Sequence, residues 1–171
     1  YAINVAKQHG FKIWGGFTLN INNSLALDQY QKLGVECAEI SFECSQERFV
    51  RLKNNIPCGV VGYGKMPLMT FRNCPIKSDG GCDKCAGKGT LTDRLGNDMT
   101  VICRQKQFCQ LLNPIPIYMG DKLSQFKKAD FITLYFTDES DGECQKVIDC
   151  FLTKKPFYSK FTRGLYYKEI K

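Results

Sequence analysis

Cys74, Cys82, Cys85 and Cys103 are the residues of this 171-residue chain whose type and spacing best suit chemistry, with seven, two and seventeen residues between them. A two-residue gap lets a tight turn aim two thiolates at one centre, and Gly80-Gly81 just before Cys82 supplies the backbone freedom such a knuckle needs. The two outer cysteines complete a four-sulfur shell. Such a shell suits soft-ligand centres, zinc or an iron–sulfur cluster. Two disulfides, or free thiols in a loop, are the plainer alternatives, but a reducing compartment disfavours disulfides and nothing in the chain marks it for export. The expected cofactor is one metal centre on four cysteines, zinc or 4Fe-4S. The other six cysteines, Cys37, Cys44, Cys58, Cys109, Cys144 and Cys150, fall mostly in strand or helix contexts and read as buried small hydrophobes.

Hydrolytic chemistry leaves fewer marks. A serine or cysteine protease sets its nucleophile beside a base, usually His, and a metalloprotease usually presents an HExxH-like helix. The chain has a single histidine, His9, in what reads as an early helix, and it has no such motif. Net charge is +7, concentrated in a tail where Lys154, Lys155, Lys160, Arg163, Lys168 and Lys171 alternate with Phe157, Tyr158, Phe161, Tyr166 and Tyr167. Basic residues among aromatics grip polyanions through phosphate pairing and base stacking. A solvated surface whose aromatics face inward is the preferred reading of this tail.

The elements that must position the cysteines are legible as a repeat. Phe17–Ile21, Ala38–Phe42 and Gly59–Tyr63 are β-prone runs that start 21 residues apart (17, 38, 59), with helix-like segments between them. The first of these helices is expected to be capped by Ser24 and stopped by Gly34, the second to be capped by Ser45. Strand-helix alternation implies parallel strands joined by crossovers, an α/β architecture. The third strand is expected to run on through Lys65–Phe71 into Cys74, so that the cysteine stretch leaves the carboxyl end of a parallel strand, where α/β proteins gather ligands. Inside the stretch, Thr90–Arg94 and Met99–Cys103 flank a Leu95-Gly96-Asn97 turn and predict a hairpin that returns Cys103 toward the other three. Further on, Ile115–Met119 reads as a proline-interrupted edge run and Asp121 as the cap of a brief helix. Phe131–Phe136 reads as a strand and Asp141–Leu152 as a helix. The acids Asp138, Glu139, Asp141 and Glu143 gather between these last two elements and suit the positive end of the helix.

The chain is long enough for one domain, and no second hydrophobic core is evident. The expected division is 1–72 for the βα repeats, 73–104 for the four-cysteine insertion, and 105–171 for closing βα units and the basic tail. The chain opens on Tyr1 rather than Met and reads as a piece of something longer. Without a signal peptide or an apolar stretch long enough to cross a bilayer, a cytoplasmic protein with no membrane partner is expected.

Several runs, GFTLNINNSLAL, GYGKMPLMTFRNCP, LTDRLGNDMTVICR, LLNPIPIYMGD and FTRGLYY, resemble the carboxyl-terminal part of the barrel in the collagenase-like peptidase family, U-thirty-two, with Tyr63 to Asn113 the most specific part. The resemblance implies a partial TIM-type (β/α) barrel of parallel strands with a cysteine-rich β-hairpin insertion. It implies a partner too, because half a barrel leaves open strand edges that the remaining half or a second copy, as a homodimer, must cover.

As to activity, the resemblance implies a peptidase by family label, acting on a peptide. Relatives that hydroxylate tRNA, rRNA or a quinone precursor with a four-cysteine 4Fe-4S cluster imply a second activity, on RNA or a small aromatic molecule. The close Cys82-Cys85 pair looks more like a zinc knuckle than the wider spacings of those hydroxylases. A zinc so held has no position left for a reactive water and would be a structural staple in a non-catalytic domain, the third reading. At the barrel mouth, Glu43, Tyr63, Lys65 and Arg72 are the expected catalytic residues, offering a carboxylate, a phenol and cations to bind an anion and move protons. Arg163-Gly164 resembles the family's closing motif and is an expected anion contact.

Overall fold

The computed structural model describes residues 2–77, 82 and 85–168. The chain divides into two compact units, Tyr1–Gly64 with Ile117–Lys171, and Lys65–Pro116. The insertion expected over 73–104 is the middle of the second unit, which also takes in a strand before it and a strand after it.

In the larger unit the helix α1 (Ala2–Gln8) precedes β1 (Trp14–Gly15), α2 (Ser24–Leu33), β2 (Cys37–Glu39), α3 (Gln46–Arg51) and β3 (Cys58–Gly64). After the insertion come the short strand Ile117–Tyr118, a 3-10 segment at Gly120–Phe126, the strand Phe131–Tyr135 and the helix Asp141–Thr153. β1, β2, β3 and Phe131–Tyr135 are parallel and pair in that order. Gly59 faces Glu39 on one edge of β3 and Phe131 on the other, and Ile117–Tyr118 pairs antiparallel with Tyr63 and Gly64 beyond the end of β2. The α/β class with a parallel-rich sheet is therefore as the alternation predicts. Among the described residues the sheet is open: β1 has only β2 as a neighbour, and Phe131–Tyr135 only β3.

Local chemistry accounts for most boundaries. α2 ends at Gly34, whose φ of 104° is open to glycine and whose N–H returns to the Gln31 and Tyr30 carbonyls. Its cap is Asn23, one residue before the expected Ser24: the Asn23 side chain accepts from the Ala26 N–H (2.8 Å), while the Ser24 hydroxyl instead accepts from the Lys53 N–H (2.9 Å). Ser45 caps α3 as predicted, accepting from Arg48 (3.4 Å). The first strand lies upstream of the run expected for it, because Phe17–Leu19 forms a 3-10 turn. Nor does the third strand continue to Cys74. It stops at Gly64, and Pro67–Phe71 belongs to the sheet of the smaller unit.

Asp121 caps nothing. Its two oxygens accept from the Arg163 guanidinium (2.5 and 2.8 Å), which also donates to the Tyr118 carbonyl (2.7 Å). Arg163, expected to hold an anion from outside, thus holds one of the chain's own. The tail's aromatics turn inward only in part: Phe157 stacks on Tyr118 at 4.9 Å and Tyr166 is buried, its hydroxyl donating to the Val61 carbonyl (2.7 Å), while Tyr158 and Tyr167 are exposed. Tyr63, Tyr118 and Val147 anchor this core, with Leu134, Phe136 and Phe151 packed around them.

The smaller unit is a four-stranded antiparallel sheet of β4 (Pro67–Phe71), β5 (Lys88–Thr92), β6 (Asp98–Arg104) and β7 (Phe108–Leu112), ordered β4-β7-β6-β5. The predicted hairpin is β5–β6, and its turn is fastened by Asp93, whose carboxylate accepts from the Leu95 and Asn97 N–H groups (2.8 and 2.9 Å). The unit has a hydrophobic core of its own around Val101, Cys109 and Leu111, contrary to the expectation of none. Short strands give it only one or two residues apiece, too few to stand out as an apolar run. Ile117–Tyr118, Phe131–Tyr135 and Asp141–Thr153 are labelled β8, β9 and α4 below. Among the described residues no helix is long and apolar enough to cross a membrane.

Two predictions follow from the tyrosine and Asp121 contacts. Burial, reinforced for Tyr63 by Glu139, pushes the Tyr63 and Tyr166 phenols up, and burial pushes Tyr118 up to about 12. Above the ordinary tyrosine value of about 10 the unfolded chain loses these protons first. Stability is thus expected to hold up to about pH 10 and then fall, with a shallower alkaline fall in Tyr118→Phe, as read from urea midpoints across pH. Arg163 holds the Asp121 carboxyl below its usual range, so the pair's contribution is full above the unfolded value of about 3.9 and is lost as pH falls through the folded one. Asp121→Asn is expected to cost about 1.5–3 kcal/mol at neutral pH in urea unfolding, with the deficit shrinking in acid.

Candidate functional site

The predicted cysteines all belong to the smaller unit. Cys74, Cys82, Cys85 and Cys103 all line a single cavity of about 540 Å³. Cys74 follows β4 at a turn closed by the Lys77 N–H on the Cys74 carbonyl (3.4 Å). Cys82 and Cys85 sit on an exposed turn closed from the Cys85 N–H to the Cys82 carbonyl (3.3 Å), and the Gly87 N–H donates to the Cys85 sulfur (3.3 Å). The Gly87 carbonyl in turn accepts from the Cys103 N–H (2.7 Å), which ties the turn to β6. The hairpin carries Cys103 to the cavity that the other three also line. Gly80 and Gly81, the expected source of backbone freedom, lie outside the described residues.

A fifth sulfur, which the sequence reading assigns to the core, is also here. Cys109 on β7 is buried, but it lines the same cavity beside Cys74 and Cys103. Burial, then the Cys74 and Cys103 thiols, push it up to about 12, so it is a protonated thiol at neutral pH. The signal that locates it is register: about the Gln105-Lys106-Gln107 turn, position 109 mirrors position 103. All ten cysteines are free thiols. Among the described residues no three His, Cys, Asp or Glu side chains stand close enough together to hold an ion. Thiols are soft donors, the ligand type that zinc and iron–sulfur centres take.

The remaining wall is cationic and polar. Arg72, Lys77 and Lys106 line the cavity, with Asn73, Gln105 and Phe108, and no acid lines it among the described residues. Cations on the wall attract anions. Arg72 therefore belongs with the cysteines, and Lys65, directly after β3, begins the same unit.

Glu43 and Tyr63 lie in the larger unit. Glu43 sits in the turn between β2 and α3, its N–H on the Ser41 hydroxyl (3.2 Å). Tyr63 is almost fully buried on β3, and its hydroxyl donates to Glu139 (2.9 Å) rather than to Glu43. The other Glu139 oxygen accepts from the Thr137 and Asp138 N–H groups (2.6 and 3.1 Å), so this carboxylate is fixed just beyond the carboxyl end of β9. Glu143, by contrast, does favour the helix end as predicted, accepting from the Ser140 N–H (2.8 Å) at the start of α4. A buried carboxylate that the sequence does not reveal is Glu39 on β2, which accepts from the Phe17 N–H (3.0 Å). His9 lies exposed after α1.

Of the other cysteines, Cys37, Cys44 and Cys58 are buried as expected, while Cys144 and Cys150 on α4 are partly exposed. No family model, curated protein or solved structure matches the chain.

Brief alkylation of the reduced, metal-free chain, followed by peptide mapping, is expected to label Cys82 and Cys85 first and Cys109 last among the five. Early labelling of Cys109 would contradict the burial described above.

Proposed function

We propose that the chain is the later part of a (β/α) barrel of the collagenase-like peptidase family U-thirty-two, whose insertion binds one zinc or 4Fe-4S centre through Cys74, Cys82, Cys85 and Cys103. The observation that carries the reading is that those four thiols line one cavity together with cations. Bound there, either centre would be held entirely by sulfur. The cluster would supply electron transfer, and zinc would supply cross-linking.

Support for the barrel comes from strand order. β1, β2, β3 and β9 advance side by side in the order in which the chain makes them, with helical segments in the connections. A doubly wound sheet would reverse direction at a switch point, whereas an arc of a barrel does not. The outer edges of β1 and β9, and the exposed Trp14 ring against Phe131 (5.3 Å), call for the remaining half of the barrel or a second copy.

For the peptidase activity of the family label, acting on a peptide, Tyr63 and Glu139 are the groups best placed. They are a hydrogen-bonded phenol and carboxylate at the carboxyl ends of neighbouring parallel strands, where barrels carry out their chemistry. A second reading, an iron–sulfur hydroxylase acting on RNA or a small aromatic acid, is favoured by Arg72, Lys77 and Lys106 at the thiol cavity, which suit an anionic substrate. A non-catalytic zinc staple is the third, and the thin core of the smaller unit favours it.

Elemental analysis of the chain prepared both with and without oxygen tests the centre. Bound zinc or iron that is lost in Cys82→Ser and Cys103→Ser is expected. Wild-type protein that holds neither metal after anaerobic reconstitution overturns the reading. Iron with visible absorbance selects the hydroxylase over the staple, and casein hydrolysis abolished by Glu139→Gln selects the peptidase.

A further inference from the structure

Five thiols line the cavity, and a four-sulfur shell leaves Cys109 over. β6 and β7 set Cys109 directly opposite Cys103. The Cys103 N–H donates to Gly87, on the β5 side, so its backbone polar groups point away from β7. In an antiparallel ladder that orientation makes Cys103 and Cys109 a non-hydrogen-bonded pair, the kind whose Cα atoms approach to about 4.5 Å with side chains closest. Disulfides span Cα separations of about 4.4–6.8 Å, so this pair can be bridged without moving either strand. Both sulfurs lie on the face that packs on Val101 and Leu111. They differ in access: Cys103 is partly exposed at the cavity, and Cys109 is buried behind it.

We propose that Cys103 and Cys109 form a peroxide-driven redox couple, Cys103 attacking and Cys109 resolving, whose disulfide withdraws Cys103 from the four-sulfur set. The consequence for metal binding rests on the four-thiolate reading; the couple itself does not. The Cys103 thiolate takes one oxygen from hydrogen peroxide, giving a sulfenic acid and releasing hydroxide, which takes up a proton as water. The Cys109 sulfur then displaces the sulfenic oxygen, which leaves as a second water as the S–S bond forms. Two thiols lose two protons and two electrons, and one peroxide becomes two waters. A thiol reductant reverses the exchange.

Cys82 and Cys85, both exposed, are the competing site for the oxidant. Burial of the resolving sulfur beside the attacking one favours the ladder pair, because the sulfenic acid meets Cys109 before a second peroxide reaches it.

The test treats the full chain, stripped of metal and reduced, with a slight excess of hydrogen peroxide, then alkylates the remaining thiols and maps the peptides. The expected product joins the peptides that carry Cys103 and Cys109, and dithiothreitol releases it. A map in which Cys109 stays alkylated while Cys103 is joined to Cys74, Cys82 or Cys85, or carries a sulfinic acid, overturns the proposal. Zinc alone is then titrated into both forms. The disulfide form is expected to bind at least about tenfold more weakly than the reduced form, and dithiothreitol is expected to restore binding in the wild type. In Cys109→Ser, with no resolving thiol, the oxidised cysteine passes to acids that dithiothreitol does not reduce. A reduced chain that takes up no zinc sinks the metal reading, while the peptide map still decides the couple.

Discussion

Everything in the larger unit depends on β3 being paired along both edges. All seven of its residues are buried, and it carries β2 and β8 end to end on one side and the length of β9 on the other. Such crowding restricts the side chains β3 can carry. At Gly59 a Cβ would lie 2.3 Å from the Phe131 ring, and at Gly62 one would lie 2.4 Å from an Ile132 methyl. Glycine at these two positions is what lets the neighbouring strand lay its own large side chains across β3, so burial gained from Phe131 and Ile132 offsets the entropic cost of glycine in a strand.

The same strand governs how the cysteine unit is attached. Its last residue, Gly64, is the ladder partner of Ile117, the residue at which the chain returns. An insertion whose two ends are hydrogen-bonded neighbours closes its loop at the base, and the closure cost is met by strand pairing that the larger unit makes anyway. The insertion can therefore be elaborated without disturbing the sheet. Its own means are slender: Val101, Cys109 and Leu111 are the buried centre of its core. A sheet with so few buried residues gains much from a cross-link, and thiols at its cavity are the means available for one, whether through metal or through sulfur.

How much of this was legible follows from the kind of signal each feature leaves. Caps and turns are local, so Ser45, Gly34 and the hairpin about Leu95-Gly96-Asn97 could be read directly, and the error at Ser24 was one residue because Asn and Ser cap equally well. β1 has two residues, too short for any alternation to register, and the neighbouring Phe17–Leu19 run carries the apolar signal instead. Cys103 could be placed from the hairpin. Cys109 could not be placed from composition, because a buried cysteine on a strand looks like any small apolar residue; only the ladder puts it opposite Cys103. Glu39 escaped for a related reason, since a carboxylate is taken for a surface residue until its donor is seen, and Glu139, read as a helix-end charge, instead accepts from a phenol and backbone N–H groups.

Charge at the cysteine cavity differs from that of the chain as a whole. Arg72, Lys77 and Lys106 stand around thiols with no described acid among them, although the chain as a whole carries 17 acidic side chains against 24 basic ones. Such a wall attracts an anionic molecule to the cavity. A substitution among these cations weakens that attraction and leaves the sulfurs in place, whereas a change at Cys109 alters the sulfurs and leaves the field as it was.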